Sequence, residues 1–228
     1  MTVGKGAKTR DAILERAAAI ASRSGLEGLT IGGLAKDLNL SKSGLIAHFG
    51  SKEALDLAVL QWAAALFANT VITPAVTGGS GELRVRSLFD GWFKYAAHKQ
   101  LPGGDIFTAA ASELDDNPGV CRYYVARVQR DWIGTLENAT REAMAEGQFR
   151  PDLDLGQIAF NIISILQAYH MFHRLLNVPN AELRARASFE SLMARARAPG
   201  RNAPAVAAPA AAPAAPAVAA PAPAPATN

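Results

Sequence analysis

Two Ser-Lys pairs, Ser41-Lys42 and Ser51-Lys52, stand ten residues apart in the stretch NLSKSGLIAHFGSKEAL. Each serine can cap a helix, so the chain between the caps has room for only about two helical turns. A helix that short is unstable alone in water. Leu45 and Phe49 must pin it to neighbours, and those neighbours lie upstream. Ile13, Leu14, Ala17, Ile20 and Ala21 recur at helical spacing after the basic lead-in of Lys5, Lys8 and Arg10, and Gly25 follows as a stop signal. Thr30 then caps a helix carrying Ile31, Leu34, Ala35 and Leu38. Three short amphipathic helices around one small core are expected. Only Asn39 and Leu40 separate the second from the third. Asn tolerates the left-handed backbone of a sharp turn, and such a turn sets two helices at a steep angle, as in a helix-turn-helix.

The outer face of the short helix carries Lys42, Ser43, Gly44, Ala47 and His48, all small or donor-bearing. Side chains of that kind can approach a major groove without steric obstruction. Ser51 opens a longer helix whose first amides, with Lys52, offer donors to a phosphate. Thr30 and Ser41, at the two preceding caps, complete the candidate DNA-contacting set: Thr30, Ser41, Lys42, Ser43, Gly44, Ala47, His48 and Lys52.

The segment from Thr9 to Leu60 resembles the DNA-binding domain of TetR-family transcriptional regulators. The likeness rests on Ile13, Ala17, Gly25, Thr30, Ile31, Ala35, Leu40, Ser41, Lys42, Leu45, His48, Phe49, Lys52, Glu53 and Leu55, in matching order and spacing. Two positions depart from the family pattern. Asn39 stands where the family usually has Gly, and Ile46 where it commonly has Tyr. Recognition is then expected to rest on Lys42, Ser43, Gly44 and His48, with Ala47 meeting a thymine methyl. The resemblance implies an all-α protein, with a three-helix DNA-binding domain at residues 1–52 and a helical ligand-binding and dimerisation domain at residues 53–198.

The downstream pattern is helical throughout. The helix opened by Lys52 runs on to Val71, and TPAVTGGSGE, Thr73 to Glu82, reads as a loop. Further helices are expected over residues 82–99, 105–114 and 118–146, the last with Asn117 as cap and Pro118 at its first position. Asp154 with Gln157 resembles a capping box, opening a helix that is apolar over more than one face. Asn180 is expected to cap the final helix. The last two helices, about residues 155–176 and 181–197, are expected to pair with their copies in a homodimer, as the resemblance implies. Phe89, Trp92, Phe93, Phe107, Tyr124 and Trp132 are the candidate lining of an apolar effector cavity, as the resemblance implies, with ordinary core packing as the alternative. A bulky residue at Gly91, beside Trp92, is expected to crowd it.

Composition narrows the alternatives. A formal charge of +3 over 228 residues announces no nucleic-acid binder by itself, so local distribution carries that reading. The single Cys121 excludes an intramolecular disulfide and reads as a small buried hydrophobe. No unbroken apolar run reaches about 18 residues and the N-terminus lacks a signal-peptide core, which points to a cytoplasmic chain. Residues 199–228 are rich in Ala and Pro, and the recurrent prolines predict an extended tail. The expected function is a repressor that binds a palindromic operator as a dimer and is released by a small, largely apolar effector, with no cofactor. Two rivals are a DNA-binding protein without effector and a metal-dependent enzyme built on His170 and His173, which stand at i, i+3.

Overall fold

A computed structural model describes residues 5–204, and every regular element among them is helical. The expected extended tail lies, from residue 205, outside the described residues. Helix α1, Lys5–Gly28, breaks its helical dihedrals at Gly25, which takes φ 72°. The amide of Leu26, freed by that break, donates to Glu113 Oε2 at 2.7 Å. Helices α2, Ile31–Asp37, and α3, Lys42–Phe49, begin with Thr30 Oγ1 and Ser41 Oγ each accepting an amide N–H at 3.0 Å. Asn39 takes the left-handed conformation, φ 54°, so the turn forms as expected. Ile13, Leu14, Ala17, Leu34, Ala35, Leu45 and Leu55 are buried in the core of this unit. A two-pronged ion pair from Arg16 to Asp37 ties α1 to the end of α2.

Helix α4, Lys52–Phe67, does not stop where a loop was expected. It passes through a π-helical turn, Ala68–Ile72, into α5, Thr73–Thr77, and the loop shrinks to residues 78–80. Pro74 ends a regular α-helix because it lacks a donor and clashes with the preceding turn. The wider π turn ahead of it changes the hydrogen-bond register, and Pro74 falls at the start of α5, where a missing N–H costs little. The combined helix, Lys52–Thr77, is long and apolar enough to cross a bilayer, which a count of unbroken apolar residues missed. Here it packs against α1, α8 and α6 as the rod between the two halves of the molecule.

The second half comprises α6, Gly81–Ala96; α7, Ile106–Leu114; α8, Val120–Ala145; α9, Leu155–His170, extended by a π turn, Met171–Leu175; and α10, Ala181–Ala196. Helix α8 starts at Val120 rather than Pro118, and Asn117 instead donates its side-chain amide to Glu113 O at the end of α7. Asp154 caps α9 through the Gln157 amide, but the Gln157 side chain bonds Asn161, so only half of the expected box forms. The Asn180 side chain makes no cap bond.

Gly91 does not face a cavity. A Cβ there would lie 3.0 Å from Val71 Cα, because α6 crosses the π turn at backbone contact. Gly91→Val is therefore expected to destabilise the fold by about 1–3 kcal/mol through overpacking, read as a lower urea midpoint. An unchanged midpoint would show that α6 can slide off the turn.

A buried ionic cluster that the sequence did not reveal joins α6 to the end of α10. Glu82, 3% exposed, pairs with Arg86 at 2.8 Å and with Arg197 at 2.6 Å, and Arg86 reaches on to Glu190 at 2.6 Å.

Candidate DNA-binding surface and ligand cavity

Helix α3 presents one continuous outer face. Lys42, Ser43, Ala47 and His48 are exposed along it, with Ser41 and Thr30 exposed at the adjacent caps and Gly44 half-buried beneath. Ile46 is 44% exposed in the middle of that face, an apolar side chain that the fold does not bury. The Lys42 stem lies back over α2, where a Cβ on Gly32 would meet its Cε at 3.1 Å, and it makes no ion pair among the described residues. Arg10 extends the basic character of the surface, its guanidinium 5.0 Å above the Phe49 ring.

Lys52 departs from expectation. Its ammonium turns inward, donating to Asp56 at 2.6 Å and to Leu26 O at 2.9 Å. It is neutralised one helical turn along its own helix, and what α4 offers toward a phosphate is its first amides. Burial pushes the Asp56 carboxyl up, a shift that Lys52 opposes. Cys121, beside this pair, is buried, and burial with the carboxylates of Asp56 and Glu53 pushes its thiol up to about 11. A thiolate is disfavoured there, in keeping with an inert hydrophobe.

In the second half, Trp92, Phe107 and Trp132 meet around one cleft, as expected, together with Phe67, Asp105 and Gln167. Its enclosed space is only ≈ 20 Å³, about one water. Phe89, Phe93 and Tyr124 do not line it. Phe89 stacks on Phe189 of α10 at 3.9 Å, Phe93 lies between Tyr169 and Arg186, and Tyr124 is half-buried beneath Arg127. Sequence reasoning missed Phe67, which touches both Tyr95 and Trp132 edge-on. It also missed Asp105, which caps α7 from a fully buried position, accepting from Phe107 N at 2.9 Å and Thr108 Oγ1 at 3.0 Å. An Asp just before an apolar helix, readable as its cap, was the available signal.

His170 and His173 diverge. His173 stacks on Tyr169 at 5.1 Å, and His170 approaches Asp105 with its pKa lowered by burial, hence neutral. Among the described residues no three His, Cys, Asp or Glu side chains come together as a metal-binding group.

The cleft is connected to the DNA-binding unit at both ends of α7. Just before it, Gly103 N donates to Ser22 Oγ of α1 at 2.9 Å, and a Cβ on Gly103 would lie 1.7 Å from Ser22 O. At its far end Glu113 accepts from Leu26 N. Helices α9 and α10 leave Phe160 and Leu183 each 66% exposed, and a separate groove of ≈ 350 Å³ where the two helices meet is lined by Ile165, Ala168, Phe172 and Ala185.

A helix-turn-helix joined to a helical body with a closed aromatic cleft defines a DNA-binding regulator of the two-domain helical class. The comparisons with known proteins agree. Residues 13–59 match the model of bacterial regulatory proteins of the tetR family, and residues 81–189 that of the tetracyclin repressor-like C-terminal domain. A TetR transcriptional regulator from Chloroflexus aurantiacus is 28% identical, with TM-score 0.70 over 83% of this chain and 94% of that one. AibR, solved with isovaleryl coenzyme A and operator DNA, is 22% identical, with TM-score 0.66 over 81% and 97%. A transcriptional regulator from Saccharomonospora viridis, solved with choline, is 18% identical, with TM-score 0.71 over 84% and 98%. No curated protein matches the chain. The chain belongs to the TetR family of transcriptional regulators, with an N-terminal DNA-binding domain and a C-terminal ligand-binding domain.

Proposed function

We propose that the protein is a cytoplasmic repressor, a homodimer through α9 and α10 that grips a palindromic operator with two copies of α3 and lets go when an effector enters the cleft at Trp92, Phe107 and Trp132. The observation that carries this reading is α7, tied to α1 by Gly103 in the loop before it and by Glu113 near its end, while its cap Asp105 and Phe107 wall the cleft. A ligand shifts DNA affinity only by binding two arrangements of the protein unequally. A cleft with room for about one water must open to take an effector, and opening it moves α7 against α1. The lever is thus α7 as well as the α4 rod. Dimeric readers of this geometry place half-sites about one helical turn, roughly 34 Å, apart or a little more. The complexes of AibR and of the Saccharomonospora viridis protein support a fold able to hold a small molecule.

The test is DNA selection with the purified chain, followed by salt titration on the retained fragments. Lys42→Ala is expected to weaken binding and reduce the salt slope by about one. Lys52→Ala, whose ammonium is already held by Asp56, should leave the slope as it was. A salt slope untouched by Lys42→Ala would remove this face from the interface. Affinity for the selected DNA that no cell extract changes would favour a DNA-binding protein without effector.

A further inference from the structure

We infer that the ligand of this cleft is an organic monocation, an ammonium with apolar or aromatic substituents, held by the Asp105 carboxylate among the rings of Trp92, Phe107 and Trp132. This rests on the reading of the cleft as the effector site.

Asp105 is the deciding residue. It is 5% exposed, and among the described residues no Lys or Arg lies within ion-pair distance of it. Its hydrogen bonds come from neutral donors: the Phe107 amide, the Trp92 side chain, and the Thr108 hydroxyl, which in turn accepts from Gln167 Nε2 at 3.1 Å. As a helix cap alone, a Ser or Asn would serve without burying a charge. The groups facing it do not supply a counter-charge. His170, from α9, has its pKa lowered by burial, which outweighs the opposing pull of Asp105 and favours the neutral form. Arg174, from the π turn after α9, passes beside Gly104 but donates to Pro102 O at 3.1 Å. Tyr95, from α6, is close enough for the carboxylate to help burial raise its pKa, and its buried hydroxyl has no hydrogen-bond partner. The Asp105 carboxyl is itself pushed up by burial.

A buried carboxylate in a cleft shared with Trp92, Phe107 and Trp132 selects among ligands. An anion would be repelled. A hydrocarbon would leave the carboxylate unpaired as water left the cleft. A cation pairs with it and meets the negative faces of the rings. Because Asp105 opens α7, a cation drawing on it acts where the helix begins, two residues beyond the Gly103 link to α1.

The experiment is calorimetric titration of the full chain with choline, with benzyltrimethylammonium, and with the uncharged alcohol in which carbon replaces the choline nitrogen. At least one cation is expected to bind about tenfold or more tightly than the alcohol. That preference should vanish in Asp105→Asn, which keeps shape and cap, and should fade in the wild type as pH falls through the raised Asp105 pKa. Binding of the alcohol as tight as that of the cations, a preference surviving in Asp105→Asn, or no cation binding up to about 10 mM would overturn the inference. The wild-type comparison decides even if the variant misfolds. Release of selected DNA is read separately. A cation that binds selectively without releasing DNA upholds the ligand class and refutes the effector role. Release by an uncharged compound occupying this cleft, with no cation preference, does the reverse.

Discussion

Replacing Glu82 by Ala is expected to destabilise the protein by about 3–5 kcal/mol, the cost of stranding a buried charge whose partner has been removed. Glu82 lies between two guanidiniums and is almost wholly out of water. Arg86 would keep Glu190, which is more than half exposed at its side chain, but Arg197 would lose its ion-pair partner among the described residues. Burial lowers the Arg86 pKa while Glu190 and Glu82 raise it, and the net shift is upward, so the carboxylates outweigh desolvation. Arg197 also sits where α10 ends and the chain bridges back to Phe149. Losing Glu82 should therefore loosen α10 first. Urea unfolding at one fixed protein concentration reads the loss, since a dimer's stability depends on concentration. Glu82→Gln, which preserves volume and one acceptor, should lose less. A penalty below about 1 kcal/mol for Glu82→Ala, the range of an exposed pair, would show that the cluster is solvated rather than structural.

That cluster marks where sequence reasoning stopped. Glu82 and Arg197 are 115 residues apart, and nothing local pairs them. The caps at Thr30, Ser41, Asp154 and Ser51 were legible because each completes its bond within three residues. The turn at Asn39 was legible because few residues accept a left-handed backbone there. Lys52 was misjudged by reading its exposed helix start and overlooking Asp56 one turn on, an i, i+4 pair visible in the sequence. The aromatic residues divided for a different reason. Periodicity places Phe89, Trp92 and Phe93 on the apolar side of α6 but does not say what crosses it. Helix α10 covers Phe89, and Tyr169 meets both Phe93 and Trp92, of which only Trp92 lines the cleft. Asp105 was legible as a cap, while its burial depended on α6 and α9 closing over it.

Placing a glutamate at both Leu183 and Phe160 is expected to separate the protein into folded monomers and to cut operator affinity by about 100-fold or more. Both side chains are two-thirds exposed and contribute little to the core of one chain, so circular dichroism should be unchanged. Their effect is expected through the surface of α9 and α10 that is proposed to pair with its copy. Apolar residues on α9 and α10 flank the ≈ 350 Å³ groove, and a contiguous apolar patch of this kind is costly in water unless another surface covers it. A two-fold partner covers such a face with its own copy, so each substitution introduces its charge twice at one interface. The consequence for DNA follows from geometry. The helix-turn-helix of one chain meets a single half-site, and joining two makes the second contact intramolecular, a gain of about 10²–10⁴ without any new bond. Monomers should then bind half-site and full-site DNA with nearly equal affinity, whereas the dimer discriminates strongly between them. Light scattering on the eluting protein gives the assembly state, and the affinity ratio of the two DNAs gives the linkage. If the double variant stays dimeric and still prefers the full site, the pairing surface lies elsewhere, with exposed Val120 and Tyr123 on α8 the next face to charge.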